Sequence, residues 1–172
     1  MSTSKQTGRA SRRWLAVATG CAILAAGGSV AVSQDQSAAT PKDTIFARKI
    51  LMGAIDMNMD EIETMLAPGG KVEVADAVEH ADTISIMLMS FPHMFPPATN
   101  QWRPNIDRDA ATDTFASPDV WQNFSDFYQR ARAASKLAFD ASRAKHGNEF
   151  RELIGQLRAA CNSCHATYMK TE

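Results

Sequence analysis

Cys161-Asn162-Ser163-Cys164-His165, followed by Ala166-Thr167-Tyr168, closes the chain almost at its end. The pentapeptide has the C-x-x-C-H form that attaches a c-type haem. Two thiols add across the vinyl groups of the porphyrin, and the neighbouring imidazole becomes an axial ligand of the iron. On a helix, Cys161, Cys164, His165 and Tyr168 stand at i, i+3, i+4 and i+7, so thiols, ligand and ring share one face. Three other readings compete. A redox dithiol normally follows a strand in a βαβ setting, and no alternation of strands and helices is visible. A zinc site needs four ligands, yet His80, His93 and His146 are scattered with no second ligand pair. Two buried cysteines beside a chance histidine is the remaining alternative.

The start of the chain carries a different signal. Lys5, Arg9, Arg12 and Arg13 precede a run from Trp14 to Ser33 without one charge. A basic stretch and then an apolar one is the layout of a secretory signal, with small residues Ala31-Val32-Ser33 at the cleavage position. Residues 1–33 are therefore expected to be a signal peptide and residues 34–172 the mature domain, exported to the periplasm. The alternative is a membrane anchor, because the run is close to the ~20 residues that span a bilayer. All 19 Asp and Glu lie beyond residue 33, so the mature portion is acidic, with a net charge of −5. Nucleic-acid binding, which needs a basic excess, is not expected. Its two cysteines would be oxidised after export unless something protects them, and haem attachment does so.

Hydrophobic spacing gives four helices. Thr40-Pro41-Lys42-Asp43 combines a hydroxyl cap, a proline at the first helical position and an acid in the first turn. From there Ile45, Arg48, Met52, Ile55, Met59, Ile62 and Leu66 recur at 3, 4, 3, 4 spacing until Pro68-Gly69-Gly70. A second stripe, Val74, Ala77, Ala81, Ile84, Leu88 and Phe91, predicts a helix over 71–90, antiparallel to the first across its short turn. A proline-rich connection follows, too long for a compact domain unless it packs or functions. Ser117-Pro118-Asp119 starts the third helix, with Val120, Phe124, Phe127, Ala131, Ala134, Ala138 and Ala141 inward, ending near Gly147. Asn148 is the expected cap of the fourth, whose Phe150, Leu153, Ile154, Leu157 and Ala160 lead onto the haem face. The fold class is all-α, an antiparallel four-helix bundle with the c-type haem on its last helix.

One member of the first seam is out of place. Arg48 is a guanidinium among core positions, and burying it without an anion costs on the order of several kcal/mol. Either its tip reaches water or it meets a carboxylate, and a haem brings two propionates matched to arginine's two-pronged hydrogen bonding. Met52, one turn on, is a thioether able to complete haem iron opposite a histidine. Methionine is also common core filler, and spacing alone does not separate the two roles.

The mature chain resembles class II cytochromes c, the cytochrome c prime family and its low-spin relatives. The resemblance spans residues 41–172 and rests on C-x-x-C-H near the end of the last helix, the tyrosine three residues later, and Arg48-x-x-x-Met52 on the first. It implies one covalent haem c with its iron, thioethers at Cys161 and Cys164, His165 as proximal ligand, Arg48 at a propionate, and Met52 on the distal side as ligand or packing residue. It also implies pairing of two copies through the first two helices. In one place the chain departs from the pattern. Family members often carry an arginine directly after the tyrosine, where this chain has Met169 and then Lys170. In the gas-binding members that basic residue belongs to the proximal environment, so its absence counts modestly against a dedicated nitric oxide binder. The expected function is single-electron transfer in the periplasm through a six-coordinate, low-spin haem. The alternative is a five-coordinate protein that takes up nitric oxide or carbon monoxide. Redox partner proteins would approach the acidic surface with basic patches. Enzymatic turnover is not expected, since no acid-base pair or second metal site stands out.

Overall fold

The computed structural model describes residues 39–109 and 113–170. The expected export signal, residues 1–33, lies outside them. Among the described residues the helices are α1 Pro41–Leu66, α2 Val74–Ser90, α3 Asp119–Gln122, α4 Phe124–Ser142 and α5 Gly147–Tyr168, with short 3₁₀ turns at Phe91–Met94 and Pro97–Thr99. The four long helices form the antiparallel bundle. None of the described helices is long and apolar enough to cross a membrane.

Local chemistry sets the ends of α1. Asp43 N–H donates to Thr40 Oγ1 at 3.2 Å, while Thr40 N–H donates to Asp43 Oδ2 at 2.8 Å. This reciprocal cap satisfies two of the donors that every helix start leaves open. At the other end Gly69 has φ of 83°. At Gly70 a Cβ would lie 2.5 Å from the Thr64 carbonyl oxygen and 2.6 Å from that of Met65. Both glycines are therefore needed for the chain to reverse so tightly.

Packing follows the predicted seams with a few shifts. Ile45, Arg48, Ile55, Met59 and Ile62 are buried in α1, with Met65 rather than Leu66 closing the seam. Helix α2 starts at Val74, which is 70% exposed, so the inward stripe begins only at Ala77. The third predicted helix is broken at Asn123, and Phe124 turns outward while Val120 and Phe127 stay buried. The last begins at Gly147, with His146 in the capping position and Glu149 accepting from Lys145 N–H at 3.1 Å. Buried Ala131, Ala134, Ala138 and Ala141 let α4 approach its neighbours closely, and Ser135 Oγ donates to the Ser85 carbonyl of α2 at 2.9 Å. Helix α2 packs on both α1 and α4, and α4 packs on α5.

Two apolar clusters result. The larger fills the bundle between α1, α2, α4 and α5, around Ile55, Met59, Ile62, Ile84, Ala138 and Leu157. Each fully buried large apolar side chain contributes about 1.5–3 kcal/mol. The smaller is aromatic and joins Phe95, Val120, Phe127 and Tyr168. It packs the long connection onto the bundle, since Phe95 stands 4.8 Å from Phe127 and Trp121 Nε1 donates to the Phe95 carbonyl at 3.1 Å. An isolated β-bridge between Ala116 and Met169 then ties this connection to the end of α5, with Ser117 N–H donating to Tyr168 O at 2.9 Å.

Candidate functional site

Helices α1 and α5 are joined at one end and parted at the other. Arg151 Nη1 donates to the Leu66 carbonyl at 2.7 Å, and Arg158 makes a two-pronged contact with Glu63 at 2.7 and 2.9 Å. Beyond these contacts a cavity of about 410 Å³ opens between α1, α4 and α5. That volume lies within the usual range of cofactor sites. Arg48, Met52, Cys161, Cys164 and His165 all line it. The sequence motifs on α1 and α5, more than a hundred residues apart, thus meet at one place.

The two thiols sit where the apolar clusters adjoin, Cys161 against the larger and Cys164 against the aromatic one. Burial pushes both thiols up, Cys164 to about 11. They are neutral near pH 7, unlike the thiolate of a reactive dithiol. Burial lowers the pKa of His165, with Arg158 adding to the effect and Asp56 opposing it. A neutral imidazole is the metal-binding form. No group of three or more His, Cys, Asp or Glu among the described residues is arranged to hold a metal ion. His80 instead bridges α1 and α2, its Nδ1 2.7 Å from Asn58 Oδ1.

Arg48 does not reach water. It is 3% exposed, donates from Nη1 to Thr99 Oγ1 at 3.0 Å and from Nη2 to Thr114 Oγ1, and lies 4.5 Å from the centre of the Phe95 ring. Its pKa falls to about 10 through burial, so it stays charged at neutral pH. Among the described residues no carboxylate pairs with it, whereas Arg158 has Glu63 and Arg130 has Asp126. A buried guanidinium beside a cavity, held only by neutral acceptors, is suited to an anion inside that cavity. Replacing Arg48 with methionine would keep the apolar volume but remove the guanidinium bonds to Thr99 and Thr114, although Thr114 Oγ1 still accepts from the Ala116 N–H at 3.0 Å. Relief of the burial penalty on the guanidinium offsets part of the lost hydrogen bonding, so a net loss of about 1 kcal/mol is expected, read as a lower urea midpoint at unchanged slope. Arg48→Lys should recover little of it, because a single ammonium lacks the fork that spans Thr99 and Thr114.

Periodicity did not mark every wall of the cavity. Lys49, Asp56, Arg130 and Arg158 line it as well, as does Gly53, where a Cβ would meet nothing within 4 Å. A glycine inside a helix costs about 1 kcal/mol relative to alanine, and no protein group here requires it. Met169 also lines the cavity, while Lys170 points away, 3.5 Å from Asp119.

A cytochrome c′ family model matches residues 43–169. The chain belongs to the cytochrome c′ family. Cytochrome c-556 of Agrobacterium tumefaciens (strain II Chrys) is 31% identical over 109 residues, covering 60% of this chain and 78% of that protein. Among solved structures, cytochrome c′ from Thermochromatium tepidum superposes with a TM-score of 0.65 at 22% identity, over 76% of this chain and 96% of that one. The nitric oxide complex of a single-residue mutant of cytochrome c prime from Alcaligenes xylosoxidans gives 0.65 at 18% identity, over 77% and 98%. At that identity the two structures establish the shared fold. The cofactor of this cytochrome c′ family chain is one covalent haem c with its iron. The cavity fits that group, offering neutral thiols and imidazole on α5, a thioether on α1 and a cation that lacks a carboxylate.

Proposed function

We propose that this chain is an electron carrier whose haem is joined to Cys161 and Cys164, with His165 and Met52 as axial ligands from opposite helices. When bound, the haem supplies an iron that cycles between ferric and ferrous by one electron. The observation that carries the reading is that Met52 of α1 and His165 of α5 line the same cavity. Met52 is half-buried and packs against the main core, so its sulfur is held by the bundle rather than by a loop. A ligand on a rigid helix needs little rearrangement between oxidation states, which is what a carrier requires. Arg48, fixed by Thr99 and Thr114, would hold a propionate at the α1 edge. Its two threonines belong to the long connection, so the same arginine fastens that connection over the site. The acidic exported domain would work in the periplasm.

The alternative is an open sixth position that takes nitric oxide or carbon monoxide. It is supported by the fold shared with a nitric oxide complex and by the open space at Gly53 beside Met52. The spectrum of the reduced protein separates them. A carrier is expected to give a sharp low-spin α band that carbon monoxide leaves unchanged, whereas a broad high-spin spectrum that shifts on adding the gas would establish the alternative.

A further inference from the structure

A basic side chain reaches the C-x-x-C-H turn from a helix that carries no part of the motif. Arg130 of α4 lines the cavity together with Cys164. Its Nε donates to Asp126 Oδ2 at 2.7 Å, one turn earlier on α4, and its Nη1 donates to Ser163 Oγ at 3.1 Å, between the two cysteines. The Tyr168 hydroxyl donates to the same Asp126 oxygen, and the Arg130 guanidinium lies 5.9 Å from the Tyr168 ring. The arginine side chain is 38% exposed, and a long side chain so open to water would ordinarily sample many rotamers. Contacts to two helices fix it instead. Asp126 is not among the residues that line the cavity, so the ion pair turns its positive end toward the site and its negative end away.

The other cations of the cavity are placed differently, and Arg48 lies on α1, buried and held by Thr99 and Thr114 of the long connection. Arg158 faces Glu63 at 2.7 Å, with Asp56 and Asp60 each at 3.7 Å, so acids outnumber it. Lys49 donates to the Asp113 carbonyl and lies on α1. Arg130, in contrast, is bonded to the segment between the two cysteines.

We propose that Arg130, positioned by Asp126 and Ser163, is a fixed positive charge that raises the reduction potential of the haem. The inference rests on the reading that haem is joined at Cys161 and Cys164. Reduction adds one negative charge to the iron and its porphyrin, and a cation held nearby lowers the energy of the reduced form relative to the oxidised one. The partly exposed site moderates the effect, and salt screens it further. Asp126 opposes it from a greater distance while holding the guanidinium in place.

The test is a mediated spectroelectrochemical titration of the haem-loaded protein and its variants at low and high salt. Arg130→Gln should shift the midpoint potential downward, and Arg130→Lys should restore part of the shift. The Arg130→Gln difference should shrink in high salt. Ser163→Ala, which leaves every charge in place but frees the guanidinium, should give a smaller downward shift and covers the case in which Arg130→Gln does not fold. Equal potentials for wild type, Arg130→Gln and Ser163→Ala would overturn the proposal. So would an Arg130→Gln shift that Arg130→Lys leaves unrestored and high salt leaves unchanged, since a merely structural link would produce it. Haem staining of a denaturing gel separates the two levels of the argument. A wild-type band without haem would remove the attachment reading itself, whereas stained bands with unmoved potentials would remove only the role of Arg130.

Discussion

Met52→Ala is expected to turn a protein indifferent to carbon monoxide into one that binds it saturably when reduced. The wild-type thioether would occupy the iron's sixth position, and alanine cannot reach it. Gly53 offers no side chain to fill the space that is left. The neighbouring methionine of the buried seam, Met59, is 1% exposed and already committed to the core, so it cannot swing in without unpacking α1. The helix itself should survive, because Ile45, Ile55, Met59 and Ile62 keep it docked. Truncating a half-buried methionine should cost about 2 kcal/mol, at the low end of the range for core truncations. The midpoint potential should also fall, since a methionine ligand raises it. Optical spectra of the reduced protein during a carbon monoxide titration, with a thermal melt alongside, check each part. If the variant's spectrum matched wild type with and without the gas, Met52 would be a packing residue.

The parts of the site that could be read from the chain alone are those governed by local rules. Cap chemistry at Thr40 and Asp43, the seam of α1 and the shared face of Cys161, Cys164 and His165 follow from spacing of a few residues, and the structure keeps them. What spacing could not reveal are the polar partners brought together by tertiary packing. Arg48 was legible as an anomaly in an apolar seam, yet its acceptors Thr99 and Thr114 lie 51 and 66 residues away in an irregular segment without periodicity. Arg130 sits among exposed positions of α4 in the sequence pattern and meets Ser163 only because α4 packs on α5. The boundary errors have the same origin. Asn148 looks like a better cap than His146, but Glu149 reaches back to the Lys145 amide, and that interaction is available to a helix that starts at Gly147. The break at Asn123 lies inside an unbroken inward stripe, which gives no sign of it.

The fold also makes the bundle's stability depend on what fills its cavity, and Cys161→Ala/Cys164→Ala is the variant that exposes this dependence. The short polar contacts that join α1 to α5, Arg151 with Leu66 and Arg158 with Glu63, are gathered at one end. The second of these is about one third exposed and contributes little by itself, ~1 kcal/mol or less. The cavity of about 410 Å³ at the other end is partly open to solvent and lined mainly by apolar side chains, so without the cofactor those walls face water and forgo the burial, about 25 cal/mol per Å², that a seated haem would give them. Net stability is only about 5–15 kcal/mol for an ordinary domain, so the walls are expected to draw inward over that apolar surface rather than stand open. The double variant, produced without covalent haem, should therefore retain much of its far-ultraviolet helical signal. It should also lose near-ultraviolet structure around Phe127 and Tyr168, bind a hydrophobic dye and melt without a sharp transition. Either single variant keeps one thioether and should fall between the two states. A double variant that unfolds cooperatively within about 1 kcal/mol of wild type would mean that the protein tolerates the space unaided, and the cavity would no longer identify the cofactor's seat.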